Sequence, residues 1–292
     1  MEENWLVYLN GEMVPLQDAK ISVFDRGFQY GDSVFEGLRC YDGRIFKLNE
    51  HTDRLYRSAQ AIGIAIPMSK EEFSSAVKRV VRENGFQNAH IKPIVSRGVA
   101  WKLGLDPKNT TEPTIVILAR PIGRSMFEEG TGFKLASVSV RKIPAACFDP
   151  RVKSCNYLAN ILARSEAVAS GAHEALMLDL NGYVAEGAAD NVFLVKGEGL
   201  YTSSVQDALE GITRETVIDL ARRHGMPVHE ARLTIYDVYN ADEIFVSGSA
   251  AGIVAVTEVD GRIVSGGKAG PVTRKLSDAY DEEVKRGEPV YE

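Results

Sequence analysis

The chain has 292 residues, 45% of them hydrophobic, and a formal net charge of −6. That is enough apolar material for well-buried cores in one large domain or two modest ones, and with no basic block it lacks the positive stripe that nucleic-acid binding requires. The longest apolar runs, such as Thr114 to Ala119 and Phe193 to Val195, fall well short of the roughly 20 residues that cross a bilayer and read as buried strands.

The start, Met1-Glu2-Glu3-Asn4-Trp5, has neither a basic nor an apolar leader region, so the expected location is the cytoplasm. Three cysteines, Cys40, Cys147 and Cys155, form no CxxC pair, and the five histidines show no HExxH spacing. Reduced thiols and no metal site are expected.

In chain order, Leu6 to Leu9 and Met13-Val14 flank an Asn10-Gly11 turn, a hairpin signal. A second hairpin pairs Ser33 to Cys40 with Arg44 to Lys47 across Asp42-Gly43, and Asn49 caps a helix through Ala61 that buries Leu48, Leu55, Ala59 and Ile62. Ser69, with Glu71 and Glu72 behind it, opens a helix to Asn84 that Gly85 ends. His90 to Arg97 and Thr114 to Arg120 read as strands, joined by a loop through Gly98, Gly104, Pro107 and Pro113 that is long enough to cover a site.

Glycine and charge replace periodic hydrophobicity near 121 to 131. This predicts a domain over 1–121, a linker over 122–131 and a domain over 132–292. The second half reads as a strand (Phe133 to Val140), a helix (Asn156 to Ser170), a strand (Glu174 to Asp179), an Asn181-Gly182 turn and strands through Val195. A helix (Thr213 to His224) and strands near Val228 to Ala231 and Glu243 to Val246 follow. Hairpins in place of strict βαβ repetition point to an α+β architecture in two domains.

Lys153 stands before the helix at Asn156, whose apolar positions Leu158, Ile161, Leu162 and Ala169 predict a buried face that aims the segment ahead of it. Lys153 is either a surface charge or a desolvated amine able to attack a carbonyl. Glu186, just past the Asn181-Gly182 turn among small residues, is either an edge-strand charge or an acid facing a flat cationic ring. Gly211-Ile212-Thr213-Arg214 precedes a helix, so Thr213 simply caps it or the turn's amides hold an anion. Ser247-Gly248-Ser249-Ala250-Ala251-Gly252 offers further amides and two hydroxyls. Arg54 either pairs with Glu50 at i−4 or grips a phosphate with two bonds.

Taken together, Lys153-Ser154-Cys155-Asn156-Tyr157-Leu158, Glu186-Gly187, Gly211-Ile212-Thr213-Arg214, Ser247-Gly248-Ser249-Ala250-Ala251 and Tyr30-Gly31-Asp32-Ser33-Val34-Phe35-Glu36-Gly37-Leu38-Arg39 resemble the class IV aminotransferases. The branched-chain amino acid aminotransferases are the nearest group. The likeness runs from about Trp5 to Tyr280. It implies a fold-type IV, D-amino-acid-aminotransferase-like pyridoxal 5′-phosphate enzyme, a homodimer with a small N-terminal α/β domain and a larger C-terminal pseudo-barrel domain.

By the same resemblance, Lys153 is the Schiff-base lysine and proton carrier, Glu186 the partner of the pyridine nitrogen, and Tyr157 the group near the cofactor's phenolic oxygen. Arg54, Gly211, Ile212, Thr213 and Ser249 hold the phosphate. Tyr30, Phe35, Gly37 and Arg39 line the substrate pocket, and Ala250 lies in the turn facing the substrate carboxylate. The expected substrates are leucine, isoleucine or valine and a 2-oxo acid such as 2-oxoglutarate, exchanged by a ping-pong mechanism.

The chain departs from that pattern at Ile91-Lys92-Pro93, where an arginine is usual, with His90 in place of a tyrosine, and at Gly252-Ile253-Val254-Ala255. Lysine does not reproduce arginine's planar grip on a carboxylate, so Lys92, or Arg97 five residues on, is the candidate acceptor contact. Action on D-amino acids or (R)-amines is the alternative, and an aminodeoxychorismate lyase is disfavoured by Gly37. In a non-catalytic binding protein, Lys153 would be only a surface charge.

Overall fold

A computed structural model describes residues 4–102, 104–123 and 132–291. Two units emerge, one of Met1–Arg124, Val152–Asn156 and Val284–Glu292, the other of Ser125–Arg151 and Tyr157–Glu283. A division at a single linker leaves out the two later segments that return to the first unit; of that linker, residues 124–131 lie outside the described residues.

The first unit is an antiparallel sheet in the order Glu288–Pro289, Arg44–Ile45, Leu38–Tyr41, Ala89–Ser96, Thr114–Pro121, Leu6–Leu9, Glu12–Pro15, with Ser33–Phe35 also pairing Ala89–Ser96. Both predicted turns are formed: Asn10 and Gly11, and Asp42 and Gly43, all have positive φ, which a two-residue hairpin of this twist needs. The helices Leu48–Ala61 and Lys70–Glu83 bury Leu55, Phe73, Val77, Val80 and Val81 with Ile91, Val95 and Ile117 of the sheet.

Ser69 caps the second helix in a reciprocal box with Glu72, satisfying two otherwise orphaned amides. The first helix begins at Leu48, with Lys47 in a left-handed conformation and no side-chain cap, so Asn49 is not its cap. The loop after Gly98 is pinned, because the buried Arg26 guanidinium donates to the Gly104 and Leu105 carbonyls.

The second unit is a nine-stranded mixed sheet in the order Val184–Gly187, Glu174–Leu178, Phe133–Arg141, Gly252–Val259, Glu243–Gly248, Asn191–Lys196, Gly199–Thr202, Val228–Glu230, with Arg262–Ile263 beside Gly252–Val259. Phe193 and Phe245 stack at 4.9 Å inside it. Gly252–Val259, a strand the sequence reading passes over, lies between the Phe133–Arg141 and Glu243–Gly248 strands. It turns at Asp260-Gly261, both of positive φ, a signal of the same kind as the two predicted hairpin turns.

The Leu158–Ala169 helix corrects an expectation. It packs through Ala163 and Ala167 near Ala175 and Met177, while Leu158, Ile161 and Leu162 are 68%, 57% and 53% exposed and Ala169 is also exposed. Periodicity locates an apolar stripe but does not say which surface meets it, and here the small residues allow the closer approach. The C-terminal helix Pro271–Glu283, unpredicted, has its first amides and the Thr273 hydroxyl bonded to the buried Glu243 carboxylate. Among the described residues no helix is long and apolar enough to cross a membrane, and no cluster of three or more potential ligands could hold a metal.

Candidate active site

Lys153 is held by its main chain, not by the helix behind it. Its carbonyl accepts from Phe35 N (2.9 Å), its amide donates to Ser58 Oγ (3.2 Å), and Cys155 N reaches the Ser33 carbonyl (2.9 Å). The segment thereby docks on the Ser33–Phe35 strand, with Val34 and Ser154 bridged. Its half-buried side chain carries Nζ 4.8 Å from the centre of the Phe35 ring.

The same ring takes the Lys92 amine at 4.9 Å. Phe35 thus offers a π face to two cations rather than a purely apolar contact. On the Ala89–Ser96 strand the odd residues enter the core while His90 and Lys92 alternate to the other face, as a two-residue period demands. His90 lies opposite Arg39 in the register and 3.2 Å from where a Gly37 Cβ would stand. Arg39 is buried, donates to the Gly123 carbonyl and lies over Tyr41. Burial, with the charges of Arg39, Lys92, Arg120 and Lys153, pushes the His90 imidazole down to about 4, so this cationic face includes a neutral ring at pH 7. Phe35, Gly37, Arg39, Lys92 and Lys153 are therefore brought together.

Arg54 does not pair with Glu50. Its guanidinium is buried and bonds Glu36, Nε to Oε1 at 2.6 Å and Nη2 to Oε2 at 2.8 Å; Oε2 also meets His51 Nδ1 at 2.7 Å. Burial would raise the Glu36 carboxyl, but Arg54 and His51 hold it well below the usual carboxylate range. Burial holds the His51 imidazole below its ordinary value, against the pull of Glu36, so neutral His51 donates from Nδ1. Glu36 and His51 escape a sequence reading because their pairing spans 15 residues.

In the second unit Glu186 is buried on the Val184–Gly187 strand. Oε1 pairs with the Lys142 ammonium, and Oε2 accepts from Leu209 N (2.9 Å) and Asn191 Nδ2 (3.3 Å). The helix Ile212–Arg223 opens at Gly211 with no side-chain cap. Thr213 is not the cap; it is buried in the first turn, and amides left without a side-chain cap at a helix start suit an anion. Lys142 and Asn191 are likewise absent from the sequence reading. An asparagine five residues beyond a candidate acid is the available signal.

Ser249 and Ala250 lie half-buried in the turn joining Glu243–Gly248 to Gly252–Val259. Ser247, just before it, is buried with a hydroxyl that has no partner among the described residues. A Cβ on Gly248 would stand 2.2 Å from Asp190 Oδ1, so any side chain there would displace that carboxylate. Tyr157 is the residue before the Leu158–Ala169 helix.

Two candidates stand elsewhere. Arg97 is committed to Asp32 (2.7 and 3.0 Å) and to the Ile62 and Gly63 carbonyls (2.6 and 2.9 Å). Tyr30 is 42% exposed beneath the Arg26 guanidinium.

A family model described as amino-transferase class IV matches residues 33–259. A Methanocaldococcus jannaschii protein with a provisional branched-chain-amino-acid aminotransferase name is 46% identical over 288 residues, 98% of this chain and 99% of that one. The Pseudomonas aeruginosa branched-chain-amino-acid aminotransferase is 40% identical over 96% of this chain and 92% of its own. The branched-chain amino acid aminotransferase of T.th., solved with pyridoxamine 5′-phosphate, superposes with a TM-score of 0.92 at 39% identity, covering 97% of this chain and 95% of that one. With its two sheets and the match running through most of the sequence, the chain belongs to the class IV aminotransferases and has their fold-type IV architecture.

Proposed function

We propose that the protein is a pyridoxal 5′-phosphate-dependent transaminase moving the amino group of leucine, isoleucine or valine to 2-oxoglutarate or a related 2-oxo acid in two successive half-reactions. The observation that carries it is the Lys153 amine, fixed by its own main chain over Phe35, in a chain whose relatives bear that activity's name. The donor set fits the cofactor: a primary amine, a buried carboxylate at Glu186, an uncapped helix start at Gly211 and an unpartnered buried hydroxyl at Ser247.

When bound, pyridoxal phosphate supplies an electron sink that makes a substrate's α-hydrogen acidic. Lys153 Nζ would be the amine that holds it and the base that moves the proton from the substrate's α-carbon. Glu186 would keep the ring nitrogen protonated, Arg54, Gly211, Ile212, Thr213 and Ser249 would hold the phosphate, and Tyr157 would meet the phenolic oxygen. On the first unit Phe35, Gly37 and Arg39 would line the substrate's side chain, with Lys92 as the acceptor's carboxylate contact, and on the second Ala250 would meet a carboxylate from its turn.

Loss of the cofactor's visible band in single turnover tests this reading. L-leucine should discharge it, and D-alanine or (R)-1-phenylethylamine should not; a response to either of these alone overturns the branched-chain assignment. In Lys92→Ala, the concentration of 2-oxoglutarate required should rise about tenfold, ~1.4 kcal/mol of binding, with leucine little affected. Equal effects on both would remove Lys92 from the acceptor site.

The protein also functions, on this reading, as a homodimer. Support comes from the exposed Leu158, Ile161, Leu162 and Val168 on one helix, an apolar stripe that a monomer leaves in water. Sedimentation should give a dimer at micromolar concentration, weakened by Leu162→Glu; a wild-type monomer would contradict it.

A further inference from the structure

Asn191 is buried at the start of the Asn191–Lys196 strand, paired across the sheet with Ser247. Its amide joins three parts of the second unit. Nδ2 donates to Glu186 Oε2 (3.3 Å) and to the Leu209 carbonyl (3.1 Å), while Leu209 N donates to the same Oε2 (2.9 Å). Oδ1 lies 2.0 Å from where a Cβ on Gly211 would be.

Gly211 has ordinary extended dihedrals, φ −70 and ψ 130, so its backbone accepts any residue. A Cβ there would displace Asn191 Oδ1, and with it the amide whose Nδ2 bonds Glu186 and the Leu209 carbonyl. A carboxylate and a helix start, 25 residues apart in the chain by their numbers, thus rest on one side chain.

We propose that Asn191 is a positioning residue that locks the Glu186 carboxylate to the anion-binding turn at Gly211, making the acid and the phosphate cradle one rigid unit. The inference rests on the cofactor reading above. Asn191 touches no reacting atom. It fixes the rotamer of Glu186 and excludes from Gly211 any side chain that would displace the turn. A carboxylate aimed by two converging donors loses less freedom on meeting a cation than one left to rotate.

The test uses cofactor-free protein titrated with pyridoxal 5′-phosphate, followed by absorbance. Wild type should bind; Asn191→Ala should bind about tenfold or more weakly, the effect of a lost bond to a charged group. The pH at which the bound cofactor's band changes should also move toward that of Glu186→Gln, a shift that general loosening of the fold would not produce. Gly211→Ala should weaken binding by itself, because its Cβ collides with Asn191 Oδ1. Added to Asn191→Ala, it should cost much less, since the obstructing atom is gone.

Wild type binding tightly, with Asn191→Ala unchanged in affinity and band, overturns the positioning role and leaves the transaminase reading intact. Additive losses in the double variant overturn it equally. Wild type binding no cofactor overturns both. Should Asn191→Ala fail to fold, Gly211→Ala alone decides, because it leaves Asn191 present: unchanged affinity refutes the lock.

Discussion

Lys153→Ala should lose transamination by about a thousandfold or more, the scale at which a positioned proton carrier contributes, together with covalent retention of the cofactor. The fold should survive. Both bonds that seat the residue, its amide to Ser58 Oγ and its carbonyl to Phe35 N, belong to the main chain and persist in alanine. What disappears is the amine over the Phe35 ring, so circular dichroism and thermal melting should stay close to wild type while turnover falls. Arginine should not rescue, since its delocalised cation is a poor nucleophile at any accessible pH. Undiminished turnover in Lys153→Ala would reject the assignment.

The second large effect is on stability. Glu36→Ala should destabilise the first unit by about 3–5 kcal/mol, the usual result of removing one partner from a buried ion pair. Arg54 keeps its charge inside the core with its two-bond partner gone, and neutral His51 loses the acceptor for Nδ1. The Tm should fall by on the order of 10 °C, with Glu36→Gln between the two because it keeps one acceptor oxygen.

The triad also sets a pH dependence. Glu36 is depressed in the folded chain, so its contribution is complete above its unfolded value, about 4.3, and is lost as pH falls through the folded one. His51 is likewise depressed, so protons bound by the unfolded chain below its ordinary value, about 6.5, draw stability away as the solution is acidified. Wild type should therefore lose Tm steadily from near pH 6.5 downward. A Glu36→Ala protein as stable as wild type at pH 7 would show that the pair contributes nothing net.

Local signals are legible in the sequence wherever their partners are local. Asn10-Gly11, Asp42-Gly43 and the Ser69–Glu72 box each act within four residues and appear as read. Strand parity likewise separates His90 and Lys92 from the core-facing Ile91. What escapes is pairing at a distance. By sequence Arg54 is weighed against Glu50, one turn away, while its partner is Glu36 on the far side of a hairpin.

The same limit explains the Leu158–Ala169 helix. Its apolar stripe has the right period, yet Ala163 and Ala167 face the sheet, because periodicity carries no information about which surface lies opposite. Lys142 and Asn191 around Glu186 follow this rule too: one is the residue just after a strand, the other opens the next one, and only folding brings them to one carboxylate.

The most direct measurement is borohydride reduction of the pyridoxal 5′-phosphate-loaded protein followed by peptide mass mapping. The mass of a phosphopyridoxyl group should appear on the peptide carrying Lys153 and nowhere else. Label on Lys92 instead, whose amine shares the Phe35 ring, or no labelled peptide at all, would contradict the account.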